Sequence, residues 1–119
     1  MKQILIIDDE KIVLDVLRKM ICHLGYNTTV SETGTDALRK FKNKEFDLVI
    51  VDLLLPGISG WELIKKLRIY KPEQKVVVVT GMGSDYVLNK NRLNKNNIED
   101  VLLKPFTFNK LRSVLENLH

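Results

Sequence analysis

Apolar residues along this chain fall into two rhythms, short unbroken runs and stripes at helical spacing, and their alternation predicts its elements. Residues 4–7 form an apolar run of strand length, and residues 11–24 place Val13, Leu14, Leu17, Met20, Ile21 and Leu24 on one helical face. Gly25 is the stop signal for that helix. A second strand is predicted over residues 26–31, followed by a helix capped by Thr33 or Thr35, with Ala37, Leu38 and Phe41 as its stripe. Leu48, Val49, Ile50 and Val51 make a continuous β-branched-rich run that ends at Asp52, the pattern of a strand buried on both faces of a parallel sheet. Residues 60–70 return to helical spacing through Trp61, Leu63, Ile64 and Leu67, with Pro72 barring continuation. Residues 76–79 read as strand four. Residues 84–97 read as a weak helix, because five asparagines (Asn89, Asn91, Asn94, Asn96 and Asn97) have modest helix propensity. Residues 101–103 are a last strand, and Phe108, Leu111, Val114, Leu115 and Leu118 stripe a closing helix.

Five strands separated by five helices imply an α/β fold, a doubly wound five-stranded parallel sheet, since parallel neighbours need right-handed crossovers through helices. Strands in such a sheet all end at one edge, where ligands bind in open α/β folds. Residues distant in sequence therefore converge there: Asp8 and Asp9 after strand one, Asp52 at the end of strand three, Thr80 after strand four and Lys104 after strand five.

Composition narrows the reading. At 119 residues the chain has the length of one domain, expected to span residues 1–119. Nineteen Lys and Arg against 15 Asp and Glu give +4, with the basic residues scattered along the chain, which favours a solvated surface over a nucleic-acid interface. Cys22, inside an apolar helical pattern, is expected to be a small core residue without a disulfide partner. The opening MKQILII meets acids too soon for a secretion signal, and no apolar run reaches the ~18 residues of a membrane span. A cytoplasmic, non-membrane setting is expected.

Three clustered carboxylates repel one another, and a bound divalent cation is the simplest way to keep them ionised. Oxygen ligands without His or Cys select a hard ion, and Mg²⁺ suits a site with few carboxylates, retained waters and room for phosphate oxygens. Beside such an ion Asp52 could attack phosphorus, Lys104 could neutralise developing charge and Thr80 could donate a hydrogen bond. Each residue also has an ordinary structural use, the acids and Thr80 at caps and strand ends and Lys104 at the surface. Their arrival at four strand ends of one edge is what favours a site.

The motifs IIDDE at residues 6–10, VDLLLPGISGWEL at 51–63, VVVTG at 77–81 and LLKPF at 102–106 resemble those of the receiver domain of two-component response regulators, over nearly the whole chain. That resemblance implies the flavodoxin-like strand order 2-1-3-4-5 and Asp52 as phosphoacceptor in a Mg²⁺-dependent reaction. It implies Asp9 and Asp52 as direct metal ligands, Asp8 acting through water and the main-chain carbonyl of Leu54 as a further ligand. Thr80 and Lys104 take the phosphoryl-binding roles, and the Lys104–Pro105 peptide is expected to be cis. A histidine kinase or histidine phosphotransfer protein is the implied donor, a downstream effector the implied target, and a phosphorylation-linked dimer a family option. The chain departs from the family at Val101, where receivers usually carry a switching aromatic, and the resemblance places the apolar Leu54 and Met82 beside the phosphoryl group, flanking the attack path. Asn97 is expected to supply a left-handed helix stop. A flavodoxin would share the topology, yet Asp8, Asp9 and Glu10 would repel an unescorted phosphate. A receiver-like module that binds partners without phosphorylation is the other alternative.

Overall fold

The computed structural model describes residues 2–81 and 95–118. In chain order its elements are β1 (Gln3–Ile7), α1 (Lys11–His23), β2 (Asn27–Ser31), α2 (Gly34–Asn43), β3 (Leu48–Asp52), α3 (Gly60–Tyr70), β4 (Val76–Thr80), β5 (Asp100–Leu103) and α4 (Phe108–Glu116). The five strands form one sheet in the order β2-β1-β3-β4-β5, and all four pairings are parallel. This is the expected doubly wound topology. Four helices belong to the described residues; the helix expected over residues 84–97 falls largely outside them, as does Met82.

Alternation along the strands divides the core in two. Leu5, Ile7, Val49, Val51, Val76 and Val78 face Ala37 and Phe41 of α2 and Leu63, Ile64 and Leu67 of α3. Their neighbours Ile4, Ile6, Leu48, Ile50, Val77, Val79 and Leu102 face Leu14, Leu17 and Ile21 of α1 and Leu111, Val114 and Leu115 of α4. Both faces of β3 are therefore covered, which is why its sequence is apolar without interruption. Burying each of these side chains contributes about 1.5–3 kcal/mol, so the central strands are the rigid frame on which the sheet edge stands.

Local chemistry fixes the helix ends. Thr33, Ser59 and Thr107 accept hydrogen bonds from the main-chain N–H of Asp36, Glu62 and Lys110 at the starts of α2, α3 and α4. α1 stops in a paired turn, Gly25 N–H to Cys22 O and Tyr26 N–H to Ile21 O, with Gly25 at φ 95°. Asn97 has φ 53°, the expected left-handed stop before β5. Cys22 corrects an expectation: it is exposed, its Sγ 3.4 Å from Thr28 Oγ1. It follows Ile21, which points into the core, and one residue turns a helix by about 100°, carrying Cys22 off the buried stripe.

Candidate functional site

Each strand delivers its functional residue just where pairing ends. Asp52 is the last residue of β3 and lies opposite Val79 of β4, while Thr80 closes β4 opposite Leu103 of β5. Asp8 follows β1, its N–H donating to Ser31 O at the end of β2. Lys104 follows β5, its N–H donating to Thr80 O at 2.8 Å. The Lys104–Pro105 peptide is cis.

The side chains converge as the topology requires. One carboxylate oxygen from each of Asp8, Asp9, Glu10 and Asp52 lies within 4.8 Å of the others. Asp8 and Asp52 are buried, whereas Asp9 and Glu10 are exposed at the mouth. Lys104 Nζ spans the cluster at 3.0 Å from Asp52 Oδ2, 3.1 Å from Glu10 Oε1 and 2.9 Å from Asp8 Oδ2. The first two contacts are hydrogen bonds. The third is the shortest ion pair of the three, and Lys104 is the charge that compensates the buried Asp8 Oδ2. Asp8 Oδ1 accepts from Glu10 N–H, and Asp52 Oδ1 accepts from Leu54 N–H at 3.0 Å.

Burial pushes the Asp8 carboxyl above its ordinary value and the charge of Asp52 adds to that, against the opposing pull of the Glu10 N–H and Lys104. Burial works against the charge of Lys104 as well, but the attraction of Asp8, Asp52 and Glu10 outweighs it and holds the ammonium above the usual lysine range. Four carboxylates, each with an oxygen within 4.8 Å of the others and no nitrogen or sulfur ligand among them, are compatible with a small hard metal ion such as Mg²⁺.

One glycine lets the chain approach the site. A Cβ on Gly60 would lie 2.6 Å from Asp52 O and 2.6 Å from Leu53 Cα, so only glycine lets the start of α3 sit against β3. Gly81 runs beside the stem of Lys104, where a Cβ would stand 3.7 Å from that residue's own Cβ, an ordinary contact that does not require glycine.

The structure thus brings Asp8, Asp9, Asp52 and Lys104 together, with Thr80 buried at the adjoining strand end and Leu54 joined to Asp52 through its N–H. Glu10 is read from sequence only as an acid that repels an unescorted phosphate, without a role at the site. The signal was available in its position: it is the N-cap of α1, where Ser, Thr, Asp or Asn is favoured, yet its side chain makes no cap and reaches Lys104.

A doubly wound domain with acids and a lysine gathered at the carboxyl edge of its sheet is the class this arrangement defines. The family model "Response regulator receiver domain" matches residues 4–116, and the chain belongs to that family, a signalling domain of two-component systems. It is 32% identical over 111 residues to the transcriptional regulatory protein PcoR of Escherichia coli, covering 93% of this chain and 48% of that one. It is likewise 32% identical over 111 residues to the response regulator ArlR of Staphylococcus aureus, covering 93% and 49%. The chain spans about half the length of the curated relatives it matches. Among solved structures, a CheY-like receiver domain protein from Methanospirillum hungatei superposes with TM-score 0.88 at 29% identity, over 99% of this chain and 94% of that one. Response regulator protein TrrA of Thermotoga maritima, in complex with Mg(2+)-BeF, superposes with TM-score 0.86 at 32% identity over 100% of both chains. No helix among the described residues is long and apolar enough to cross a membrane.

Proposed function

We propose that residues 1–119 act as a single receiver domain in which Asp52 accepts a phosphoryl group from a histidine kinase or histidine phosphotransfer protein. The observation that carries this reading is Asp52 itself, a buried carboxylate whose Oδ1 is fixed by the Leu54 N–H while Oδ2 lies against Lys104. Such positioning with charge neutralisation is most of what phosphoryl transfer requires. An Asp52 oxygen forms a new bond to phosphorus as the P–N bond of the donor's phosphohistidine breaks, and the imidazole leaves with that bond's electron pair. Lys104 then faces the charge on the transferred oxygens, and Thr80 donates to one of them. Asp9 and Asp52, with Asp8 behind them and the main-chain carbonyl of Leu54, would hold Mg²⁺. When bound, the ion offsets the charge of the carboxylates and of the incoming phosphoryl oxygens.

TrrA, similar over its whole length, was solved with Mg(2+)-BeF, which supports the same ligand chemistry here. The phosphorylated domain passes its signal to a downstream effector, with dimerisation as a further route, and it works in the cytoplasm without touching membrane or nucleic acid itself. The intact acid cluster and Lys104 speak against a module that ignores phosphorylation. Intact mass after incubation with acetyl phosphate and Mg²⁺ tests the reading. Wild type should gain one phosphoryl group and Asp52→Asn none; equal labelling of both, or of neither, would overturn it.

A further inference from the structure

Lys104 carries its ammonium on a stem of four rotatable bonds, and fixing such a side chain costs rotamer entropy that its contacts must offset. Its three anchors are not equivalent. Asp52, at 3.0 Å, is the group that reacts. Asp8, at 2.9 Å, stands in the metal-binding set. Both therefore change partners when the site is used. Glu10, at 3.1 Å, is not the reacting group, and although its carboxylate lies within 4.8 Å of the other acids it is not one of the ligands proposed above for Mg²⁺, so it is the anchor left to Lys104 when the other two are engaged. It approaches Lys104 from the solvent side, with 60% of its side chain exposed against 16% for Lys104.

Its position in the chain supports the same conclusion. At the N-cap of α1 a short hydroxyl or Asp side chain would hold a first-turn N–H and stabilise the helix. Glu10 makes no cap bond. Its main chain is instead tied to the site, since its N–H donates to Asp8 Oδ1 at 2.9 Å, and its carboxylate is spent on Lys104.

Resting on the reading of Asp52 as phosphoacceptor, we propose that Glu10 is a positioning residue that holds the Lys104 ammonium from the solvent side, so that Lys104 still points at the Asp52 oxygens when Asp8 is engaged elsewhere. The contact needs an acceptor oxygen and not a charge. This separates the proposal from simple electrostatics, because a carboxylate beside an incoming phosphoryl group repels it, and removing that charge would by itself speed the reaction.

The experiment compares wild type, Glu10→Ala and Glu10→Gln, by rate of acetyl phosphate labelling with Mg²⁺ and by the ¹⁵N ammonium signal of Lys104 in metal-free protein. Gln keeps the acceptor oxygen, and Ala removes no cap, so both variants should fold. Glu10→Ala should be labelled about three- to tenfold more slowly, the scale of a modest misplacement of one catalytic group. It should also lose the Lys104 ammonium signal to exchange with water. Glu10→Gln should keep the signal and label at least as fast as wild type. Both variants faster than wild type would leave only repulsion, both equally slow would assign the effect to charge, and an unchanged Glu10→Ala would show Lys104 held without it; each overturns the proposal. Failure of wild type to label at Asp52 would overturn the underlying reading instead, and would be seen before any variant is compared.

Discussion

The main chain of Gly60, at the start of α3, and that of Asp52, at the end of β3, are in such close approach that no side chain fits between them. A methyl group on Gly60 would stand 2.6 Å from Asp52 O. The N–H of Gly60 meanwhile donates to Leu53 O at 2.9 Å. The loop between them is thus clamped at both ends within a few ångströms of the carboxylate at the heart of the site.

Gly60→Ala is expected to destabilise the domain by about 1–3 kcal/mol, because the obstacle is backbone and cannot turn away. Gly34→Ala should cost less, although its Cβ would come within 2.5 Å of Ile58 Cγ2, since that obstacle is a methyl of a partly exposed side chain, which a change of χ1 can withdraw at a smaller cost than moving backbone. Urea unfolding of both variants checks the order, and a Gly34 variant weaker than the Gly60 variant would contradict it.

Asp8 should withdraw stability from the metal-free domain as pH rises above the ordinary carboxyl value, against the opposite contribution of Asp36, whose carboxyl is held low by Lys40 and Arg39. Asp8 has a folded pKa raised above 3.8, mainly by burial, so over that window the folded state binds more protons than the unfolded one, and the advantage disappears as Asp8 ionises. Asp8→Asn should flatten this part of the profile. Urea midpoints of the two proteins between about pH 4 and about pH 7 are the measurement, and parallel profiles would refute the assignment.

Mg²⁺ should raise the melting temperature of the wild type, because an ion that binds only the folded state stabilises it by mass action, about 2.7 kcal/mol at a hundred times its Kd. Asp9→Ala, which removes an exposed carboxylate of the cluster, should weaken Mg²⁺ binding roughly tenfold or more. Calorimetric titration showing wild-type affinity in that variant would take Asp9 out of the metal set.

The phosphorylated state is expected to be long-lived. Leu54 stands two residues after Asp52 with 56% of its surface exposed, and an apolar side chain there can crowd a water but cannot orient it. Leu54→Asn should speed loss of the phosphoryl group by roughly tenfold, part of the usual range of acid-base assistance. Decay after removal of the donor, followed by intact mass, is the test; equal rates would show that this position does not govern access of water.

Arg68 gathers the far side of the domain. From α3 its guanidinium donates to Gln74 O at 3.1 Å and Asn97 O at 2.8 Å, and also to Asn96 O. Arg68→Ala should cost about 1–3 kcal/mol, because the carbonyls of buried Gln74 and half-buried Asn96 lose their donor. Lysine should restore only part of this, since it lacks the planar fork. Thermal melts that leave Arg68→Ala at the wild-type midpoint would show that water replaces these bonds without loss.

The frame was legible in the sequence because burial on both faces writes itself as uninterrupted runs, at residues 4–7, 48–51 and 76–79. The gathering of Asp8, Asp9, Asp52 and Lys104 followed from the rule that parallel strands end together. What stayed hidden depends on where a side chain turns. Glu10 reads as one more acid until its reach to Lys104 is seen. Cys22 reads as core until the helix phase is fixed by Leu14, Leu17 and Ile21. Arg68 reads as a surface charge, because its partners are main-chain oxygens, which leave no mark on residue identity.

Asp52 and Thr80 occupy the last rung of their strands, and Asp8 and Lys104 the first position beyond theirs, while the ladder behind them is closed by main-chain bonds such as Lys104 N–H to Thr80 O. Those bonds are indifferent to side-chain identity. The chemistry of this edge can therefore drift from one substitution to the next without unpicking the sheet, and the relief of crowded like charge means that many such changes would make the domain sturdier even as they silence it. A lineage can thus lose phosphorylation while keeping the fold, and the remaining scaffold stays available for other uses.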